Sequence, residues 1–522
     1  MNHPMKIGYN SFDSDCLSGS PTFDYAALQG GVDYMVCHFD SYLYRFEDAC
    51  RNAAAVAARI KELGLDFIAN FEFQNFRLDT VGPDGYDWAN RPDGSHRLRL
   101  DRRYIESLGS AGNLAGIEYD EFEHTVINRN LSILLGAKKD VPVFADEPCG
   151  GRDECSPSVA AHDRLKRLLA GYVSELRASG APALCGEHVF PVLFHLFAEN
   201  GIIPNFKSQK ESYSNIQFSI AAGAALQYGT PLYNCVDLWH KNTNPGHSPE
   251  EMYSNLVFAF LAGIDRVYVE SVHAFFDSPA PGGSPDGGNA PVYNEYGRAF
   301  TRFATEYRGK EREWSFRDYR PKIGIIHMDD TFWGQGPFKF MWKPMLYGDP
   351  AVRPTRRNAE YIRAIRLISH KDSQKRSLGW DRIWPTSLMK HRSFASVNSL
   401  AVFDENVTKE RLECLELLFL TGDSISQGTM NAVISLVRDG GLTVVCPKRF
   451  APPEISNGVK GRYSEVRYGK GLFIVTDRLD SPRLKYRLTP FLGKKGEMTL
   501  RFADREFRMK ISPNGETFEV IE

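Results

Sequence analysis

Through the first 310 residues, short runs of β-branched or aromatic residues alternate with longer stretches of helical periodicity. That alternation is the signature of repeated βα units around a parallel sheet. The runs predict strands at Lys6–Tyr9, Val32–His38, Asp66–Phe71, Ala115–Tyr119, Ala183–Gly186, Ile203–Phe206, Pro231–Val236 and Arg266–Val269. Between them, Phe46–Leu63 and Ser158–Leu176 repeat Ala, Val, Ile and Leu at helical spacing. Ser248-Pro-Glu-Glu carries a cap residue, Pro at the first helical position and Glu in the first turn, and so predicts the start of a helix that Gly263 ends. Eight such units fit a (β/α)₈ barrel with long insertions after the third and fourth strands, the alternative being a doubly wound sheet.

The Gly/Pro-rich segment DSPAPGGSPDGGNAP follows the eighth strand at the C-terminal rim and is expected to act as a lid. Beyond it, RPKIGIIHMDD opens a second α/β unit, in which NSLAVFD, ERLECLELLFLTGDSIS, TMNAVISLVRDGG and LTVVCP follow a βαβαβ order. No Gly-x-Gly-x-x-Gly follows these strands, so nucleotide binding is not indicated. From about Pro452 the runs GLFIVTD, EMTLRFAD, EFRMKIS and TFEVIE, separated by turn residues, predict a small antiparallel β unit. The expected domains are 1–315, 316–452 and 453–522.

This order of parts, with LLFLTGDSISQGTMNAVISLVRDGGLTVVCP in the middle, resembles the family 42 β-galactosidases and related hydrolases. The resemblance covers the architecture over most of the chain, and its specific match lies between Asn398 and Pro447. It implies a barrel glycoside hydrolase with a flavodoxin- or amidotransferase-like α/β domain that lacks amidotransferase chemistry, a small β domain, and assembly as a homodimer or homotrimer. Where that family ends its fourth strand in Asn-Glu, this chain reads GIEYDEFEH.

Composition narrows the partners. Charged residues make up 25% of the chain and the formal net charge is −2, so there is no global basic field to gather nucleic acid or an anionic membrane. The start, MNHPMKIGYNSFD, lacks the basic and apolar segments of a signal peptide, and no apolar run has the length of a membrane span. Nine cysteines are scattered, with Cys37, Cys185, Cys235 and Cys446 inside apolar runs. A reducing, cytoplasmic setting is expected. Cys149 and Cys155 are close enough for a local disulfide, but no second Cys or His pair accompanies them as a metal site would need.

Barrel enzymes carry their chemistry at the C-terminal ends of the strands. Those ends are acidic here: Glu72 after the third strand, Asp120 and Glu121 after the fourth, Glu187 and His188 after the fifth. The seventh is followed by Asp237, Trp239 and His240, and the eighth by Glu270 and His273, while Lys207, Gln209 and Lys210 follow the sixth. Cleaving a glycosidic bond needs one protonated carboxyl and one ionised carboxylate about 5 to 10 Å apart, which adjacent strands supply. The pairing of Asp120 with Glu187 is similar to that of barrel glycosidases with Asp on strand four and Glu on strand five. It makes Asp120 the expected nucleophile or base and Glu187 the general acid; Glu121 with Asp237 or Glu270 is the competing pair.

Bland readings stand beside these. Asp120 and Glu121 could cap the next helix, and Glu187 could favour a helix N-terminus. Asp237, a single acid in an apolar strand, needs a partner or a role. Trp239, Phe275, Phe276 and Trp88 are candidate sugar platforms, with core packing the stronger reading for the two phenylalanines. His188, His240 and His273 leave a metal site with Asp120 or Asp237 conceivable, but no HxH or HExxH spacing supports it, and no metal or cofactor is expected. A Gly-x-Ser-x-Gly elbow is missing, and Cys414 and Cys446 sit in apolar settings unsuited to a nucleophile. The expectation is a glycosidase in which Glu72, Lys207, Trp239, His240, Glu270 and His273 contact the carbohydrate, with His327, Asp329, Asp330 and Trp333 reaching across from the second domain. The alternatives are a carbohydrate-binding barrel without turnover and a metal-dependent barrel hydrolase.

Overall fold

A computed structural model describes residues 4–20, 31–39, 46–71, 102–120, 157–188, 193–208, 213–238, 247–270, 272–277, 292–328, 337–340, 343–346, 358–372, 392–457, 459, 461–479 and 481–521. Eight parallel strands close into a barrel: β1 (Lys6–Phe12), β2 (Tyr34–His38), β3 (Asp66–Asn70), β4 (Leu114–Asp120), β5 (Leu184–His188), β6 (Ile203–Ser208), β7 (Tyr233–Asp237) and β8 (Arg266–Glu270). All eight predicted strands are present, and most run one to three residues further at the C-terminal end. Asp120, Glu187, Lys207, Asp237 and Glu270 are therefore strand residues, held by the barrel's own hydrogen bonds rather than by loops. Register sets two of them side by side twice: Asp120 pairs with Glu187 and Asp237 with Glu270.

Alternate strand residues face the barrel axis. The inward set includes Tyr34, Val36, Ile68, Cys185, Ile203, Tyr233, Cys235 and Tyr268, which form an apolar cluster of their own. The Arg266 guanidinium lies over the Tyr34 and Tyr233 rings, 5.0 and 5.6 Å from their centroids, at the N-terminal end. Outside the strands, the Phe46–Glu62 and Glu295–Tyr307 helices lay apolar stripes on the barrel. The helix Pro249–Leu261 begins as predicted, with a capping box in which Ser248 Oγ accepts from Glu251 N at 3.1 Å and Ser248 N donates to Glu251 Oε2 at 3.3 Å.

The second unit contains β9 (Ile323–His327), a hairpin of β10 (Pro337–Phe340) and β11 (Lys343–Leu346), then β12 (Leu400–Phe403), β13 (Leu417–Thr421), β14 (Thr443–Cys446), β15 (Tyr463–Tyr468) and β16 (Gly471–Thr476). Its six-stranded sheet has the order β12-β9-β13-β14-β16-β15. The five parallel members follow the flavodoxin order, and β15 closes the edge antiparallel to β16. This corrects the membership of one segment: GLFIVTD, expected in the C-terminal β unit, is the fifth parallel strand of the middle sheet, bonded to β14. Its near-continuous apolar burial is what a parallel strand covered on both faces requires. The separate C-terminal sheet comprises β17 (Glu497–Arg501), β18 (Glu506–Ile511) and β19 (Phe518–Val520).

One barrel helix joins the two larger units. Ser214–Tyr228 is buried along thirteen of its residues, because β6 lies on one side and β12 on the other; a helix hydrophobic all round is one with no solvent face. Gly223 sits where the contact is closest, and a Cβ there would lie 1.7 Å from Val402 O. Polar groups fix the alignment. Asn215 Nδ2 donates to Ala395 O at 2.7 Å while its Oδ1 accepts from Ala395 N at 3.1 Å, and His195 Nε2 lies 2.9 Å from Val402 O. At the helix end, Gln227 and Tyr228 both donate to the Asp404 carboxylate. Gly223→Ala is expected to destabilise the protein by about 3 kcal/mol or more, because backbone on both sides must move. Gly171→Ala, where an added Cβ meets nothing within 4 Å, serves as control and is expected to hold or raise stability by up to about 1 kcal/mol; urea unfolding of both variants checks the pair.

Candidate active site

The last inward-facing positions of β4 to β8 are all ionisable, and they converge on one nitrogen. Lys207 Nζ, from β6, lies 2.8 Å from Glu187 Oε1, 2.9 Å from Glu270 Oε2, 3.6 Å from Asp237 Oδ2 and 3.7 Å from Asp120 Oδ1. The Asp120 and Glu187 side chains are fully buried, whereas Asp237 and Glu270 keep 5% and 12% of their side-chain surface exposed. Asp120 Oδ2 also accepts from Asn70 Nδ2 at 3.0 Å, and the Cys235 thiol lies 3.5 Å from Glu270 Oε2. Like-charged carboxylates at this density cannot all ionise beside a single ammonium. Burial first, and then the Asp120 charge, push the Glu187 carboxyl well above the usual carboxylate range, with Lys207 opposing them. Burial next to Glu187 and Glu270 likewise keeps Cys235 a thiol.

A second polar layer lies two residues below. Glu118, also fully buried, accepts from Asn205 Nδ2 at 2.5 Å and from the Tyr268 hydroxyl at 3.4 Å. Burial raises its carboxyl to about 7 despite the Asn205 hydrogen bond and the nearby His38 and Lys207. His38, the last residue of β2, lies with its Nε2 3.0 Å from Asn10 Nδ2 and its ring 5.1 Å from that of Phe12. Two sets of ligand atoms are close enough to share a cation, His38 with Asp120 and Glu270, and Glu187 with Cys235 and Glu270, each set within 4.8 Å of one another. In both, the Lys207 ammonium already contacts the carboxylates and supplies the balancing charge.

The predicted residues thus separate into three groups. Asp120, Glu187, Lys207, Asp237 and Glu270 meet at one point. Glu72, Glu121, Trp239 and His240, with Trp88, Gln209, Lys210, Cys149, Cys155, Asp329, Asp330, Trp333 and the Gly/Pro-rich segment beyond Asp277, lie outside the described residues, as does the His188 side chain. His273 lies apart from the cluster: its Nε2 is 2.9 Å from Asp15 Oδ2 and its ring stacks on Phe12, so that hydrogen bond to Asp15 raises its pKa at the rim. The two phenylalanines are core, Phe275 stacked on Phe300 at 4.8 Å and Phe276 on Tyr293 at 5.0 Å. His327 is core as well; it stacks on Tyr361 at 4.3 Å, and burial depresses its pKa to about 3. Glu118, Asn205, Asn70 and His38 were not anticipated. Stepping back two residues from Asp120 and from Lys207 would have found the first two, and reading the ends of the second and third strands the others.

No family model matches the sequence and no curated protein matches it. Among solved structures, the chain is similar to the catalytic module of a family 98 glycoside hydrolase from Streptococcus pneumoniae TIGR4, at 9% identity over 98% of this chain and 75% of that one, with a TM-score of 0.44. It is similar to a family 42 exo-carrageenase from Bacteroides ovatus at 11% identity over 98% and 72%, TM-score 0.38. A mannanase catalytic domain from Streptomyces sp. SirexAA-E aligns at 13% identity over 51% and 74%, TM-score 0.28. At these levels no family is assigned, and function rests on the side chains at the barrel mouth. Among the described residues, no helix is long and apolar enough to cross a membrane.

Glu118 gives a direct check on this electrostatics. Folded, it keeps its proton up to about pH 7, whereas the unfolded chain releases it near 4.5. Between those values the folded state binds more protons, so stability falls as pH rises through the window and is flat above it. Glu118→Gln removes that slope. The variant is expected to gain roughly 3 kcal/mol relative to the parent between pH 4.5 and pH 7, read as the difference in denaturant midpoints across that range.

Proposed function

We propose that this chain is a glycoside hydrolase in which Glu187 is the general acid and Asp120 the nucleophile, acting on an oligosaccharide or polysaccharide fragment. The observation that carries the reading is the contrast between two register neighbours on one ammonium. Burial and the Asp120 charge push the Glu187 carboxyl well above the usual carboxylate range, while Asp120 accepts from the Asn70 amide at 3.0 Å and lies 3.7 Å from Lys207 Nζ. Carboxyl pairs whose surroundings drive their proton affinities apart are the usual basis for dividing acid and base roles. Both oxygens lie within 3.7 Å of Lys207 Nζ, which limits their separation to about 6.5 Å and supports the closer spacing of retaining enzymes over the wider inverting range.

In this mechanism Glu187 gives its proton to the glycosidic oxygen as the bond to the anomeric carbon breaks, and Asp120 attacks that carbon to form a glycosyl ester. Lys207, 2.8 Å away, stabilises the carboxylate that Glu187 becomes. Water then displaces the ester, and Glu187 takes back a proton. Asp237 and Glu270, which keep some exposure at the opening, bind sugar hydroxyls. That same exposure favours a second reading in which Asp237 and Glu270 are the reacting pair and Asp120 and Glu187 only set the field.

Hydrolysis of a panel of aryl glycosides and oligosaccharides by Asp120→Asn, Glu187→Gln, Asp237→Asn and Glu270→Gln separates the readings. The proposal expects losses of about 10²–10⁴-fold or more in Glu187→Gln and Asp120→Asn. Substrates whose leaving group needs no proton are expected to restore most of the first step in Glu187→Gln alone. In the parent, activity is expected to fall as pH rises through the elevated Glu187 pKa. If only Asp237→Asn and Glu270→Gln lose turnover, the second reading replaces the first. If no sugar is turned over and the variants only weaken binding, the barrel is a carbohydrate-binding protein.

A further inference from the structure

We infer that the second domain carries a separate binding site for an anionic saccharide, one bearing a carboxylate or sulfate on its ring, in the pocket between the C-terminal turn of the helix Asn358–Ile368 and the helix Pro482–Leu492. The pocket is about 350 Å³ and is lined by Arg366, Leu367, Lys371, Pro482, Lys485 and Tyr486. Three of these are cations, and among the described residues none of the three has a carboxylate partner. Arg366 Nε is buried with no hydrogen-bond acceptor. A buried donor of this kind costs free energy unless a ligand supplies the acceptor, and a guanidinium matches a planar or tetrahedral oxyanion best.

The helix end fixes one wall of the pocket. His370 and Lys371, with φ of 53° and 67°, form the left-handed turn that closes the Asn358–Ile368 helix. Here Lys371 N donates to Arg366 O at 2.8 Å, and His370 Nε2 lies 3.2 Å from Leu492 O, tying the turn to the end of the opposite helix. That turn places Lys371 in the pocket wall with Arg366 and Lys485. Tyr486, at 84% exposed, offers an uncovered ring next to the charges. An apolar floor of Leu367 and Pro482, an aromatic face and three cations fit a sugar ring with an acidic substituent: the ring face packs on tyrosine and the oxyanion meets the cations. Bare inorganic anions would use only the cations.

The pocket shares no lining residue with the carboxylate cluster, and binding is measured directly, without depending on hydrolysis. Calorimetric titration of the full chain would use a uronate tetrasaccharide, a sulfated tetrasaccharide, their neutral counterpart, and inorganic sulfate and phosphate. One or both acidic saccharides are expected to bind with an affinity that falls with salt, the neutral one at least tenfold more weakly, and which acidic one binds identifies the substituent. Lys485→Glu and Lys371→Gly, the latter compatible with positive φ, are each expected to weaken binding tenfold or more. Tyr486→Ala should weaken the acidic saccharide several-fold without changing inorganic sulfate, and aryl glycoside turnover, where present, should be unchanged in all three. The inference is overturned if neither acidic saccharide binds, if Lys485→Glu binds as the parent does, or if inorganic sulfate binds as tightly as the saccharides, which would mean an adventitious ion only.

Discussion

The contact between the Lys207 ammonium and four carboxylates is the constraint on which the mouth of the barrel depends. Asp120, Glu187, Asp237 and Glu270 come from four strands and meet one buried nitrogen. Without that charge the acids would face one another in a low-dielectric interior, where an uncompensated buried ion costs about 3–5 kcal/mol. With it, they need not all be neutral, and the site can hold a protonated and an ionised carboxyl side by side. The layer beneath follows from the same balance: Glu118 is buried with Asn205 and Tyr268 as donors, so a hydrogen-bonded group lies beneath the charge at the mouth, beside the apolar Cys185 and Cys235.

The apolar cluster inside the barrel is small beside the one around it, and most of the stability comes from elsewhere. Its source is the continuous apolar layer that runs from the outer face of the barrel, through its helices, into the middle sheet. The Ser214–Tyr228 helix is the hinge of that arrangement, since it covers β6, the strand that carries Lys207, and packs with its other face on β12. The side chains that fix it, Asn215, Gln227 and Tyr228, bond to Ala395 and Asp404 in the segments flanking β12. The second unit therefore contributes to the site by fixing β6, with His327 in its core; that histidine stacks on Tyr361 instead of reaching toward the carboxylates.

Much of this was legible in the sequence, for reasons that can be named. Each barrel strand is buried on both faces and reads as a short apolar run, and the acids that interrupt the pattern are those the barrel places at its mouth. The Ser248 capping box was visible because it is local. Less visible was anything decided by partners distant in sequence. GLFIVTD reads equally well as an antiparallel tail strand, and only its pairing with β14 puts it in the middle sheet. For Phe275 and Phe276 core packing is already the stronger reading of the sequence, but the rings that cover them, Phe300 and Tyr293, are seen only in the fold. Glu118 was hidden because an acid two residues inside a strand end looks like noise beside the Asp120–Glu121 pair, although period-two alternation places it directly beneath Asp120.

The identity of the central cation has its own consequence. A guanidinium would present a planar fork suited to two carboxylates, whereas an ammonium is a compact charge that oxygens can approach from several directions. Four carboxylates from β4, β5, β7 and β8 surround the β6 side chain, and only the compact charge serves them all. It does not serve them equally: Glu187 and Glu270 lie at 2.8 and 2.9 Å, Asp237 and Asp120 at 3.6 and 3.7 Å. Full burial and its register neighbour Asp120 nevertheless push the Glu187 carboxyl well above the usual carboxylate range and so favour its proton, against the closer ammonium. When that proton leaves, the same 2.8 Å contact becomes a full ion pair. The charge that appears on Glu187 during the proposed reaction is therefore met by a group already in place, and no side chain has to move to receive it.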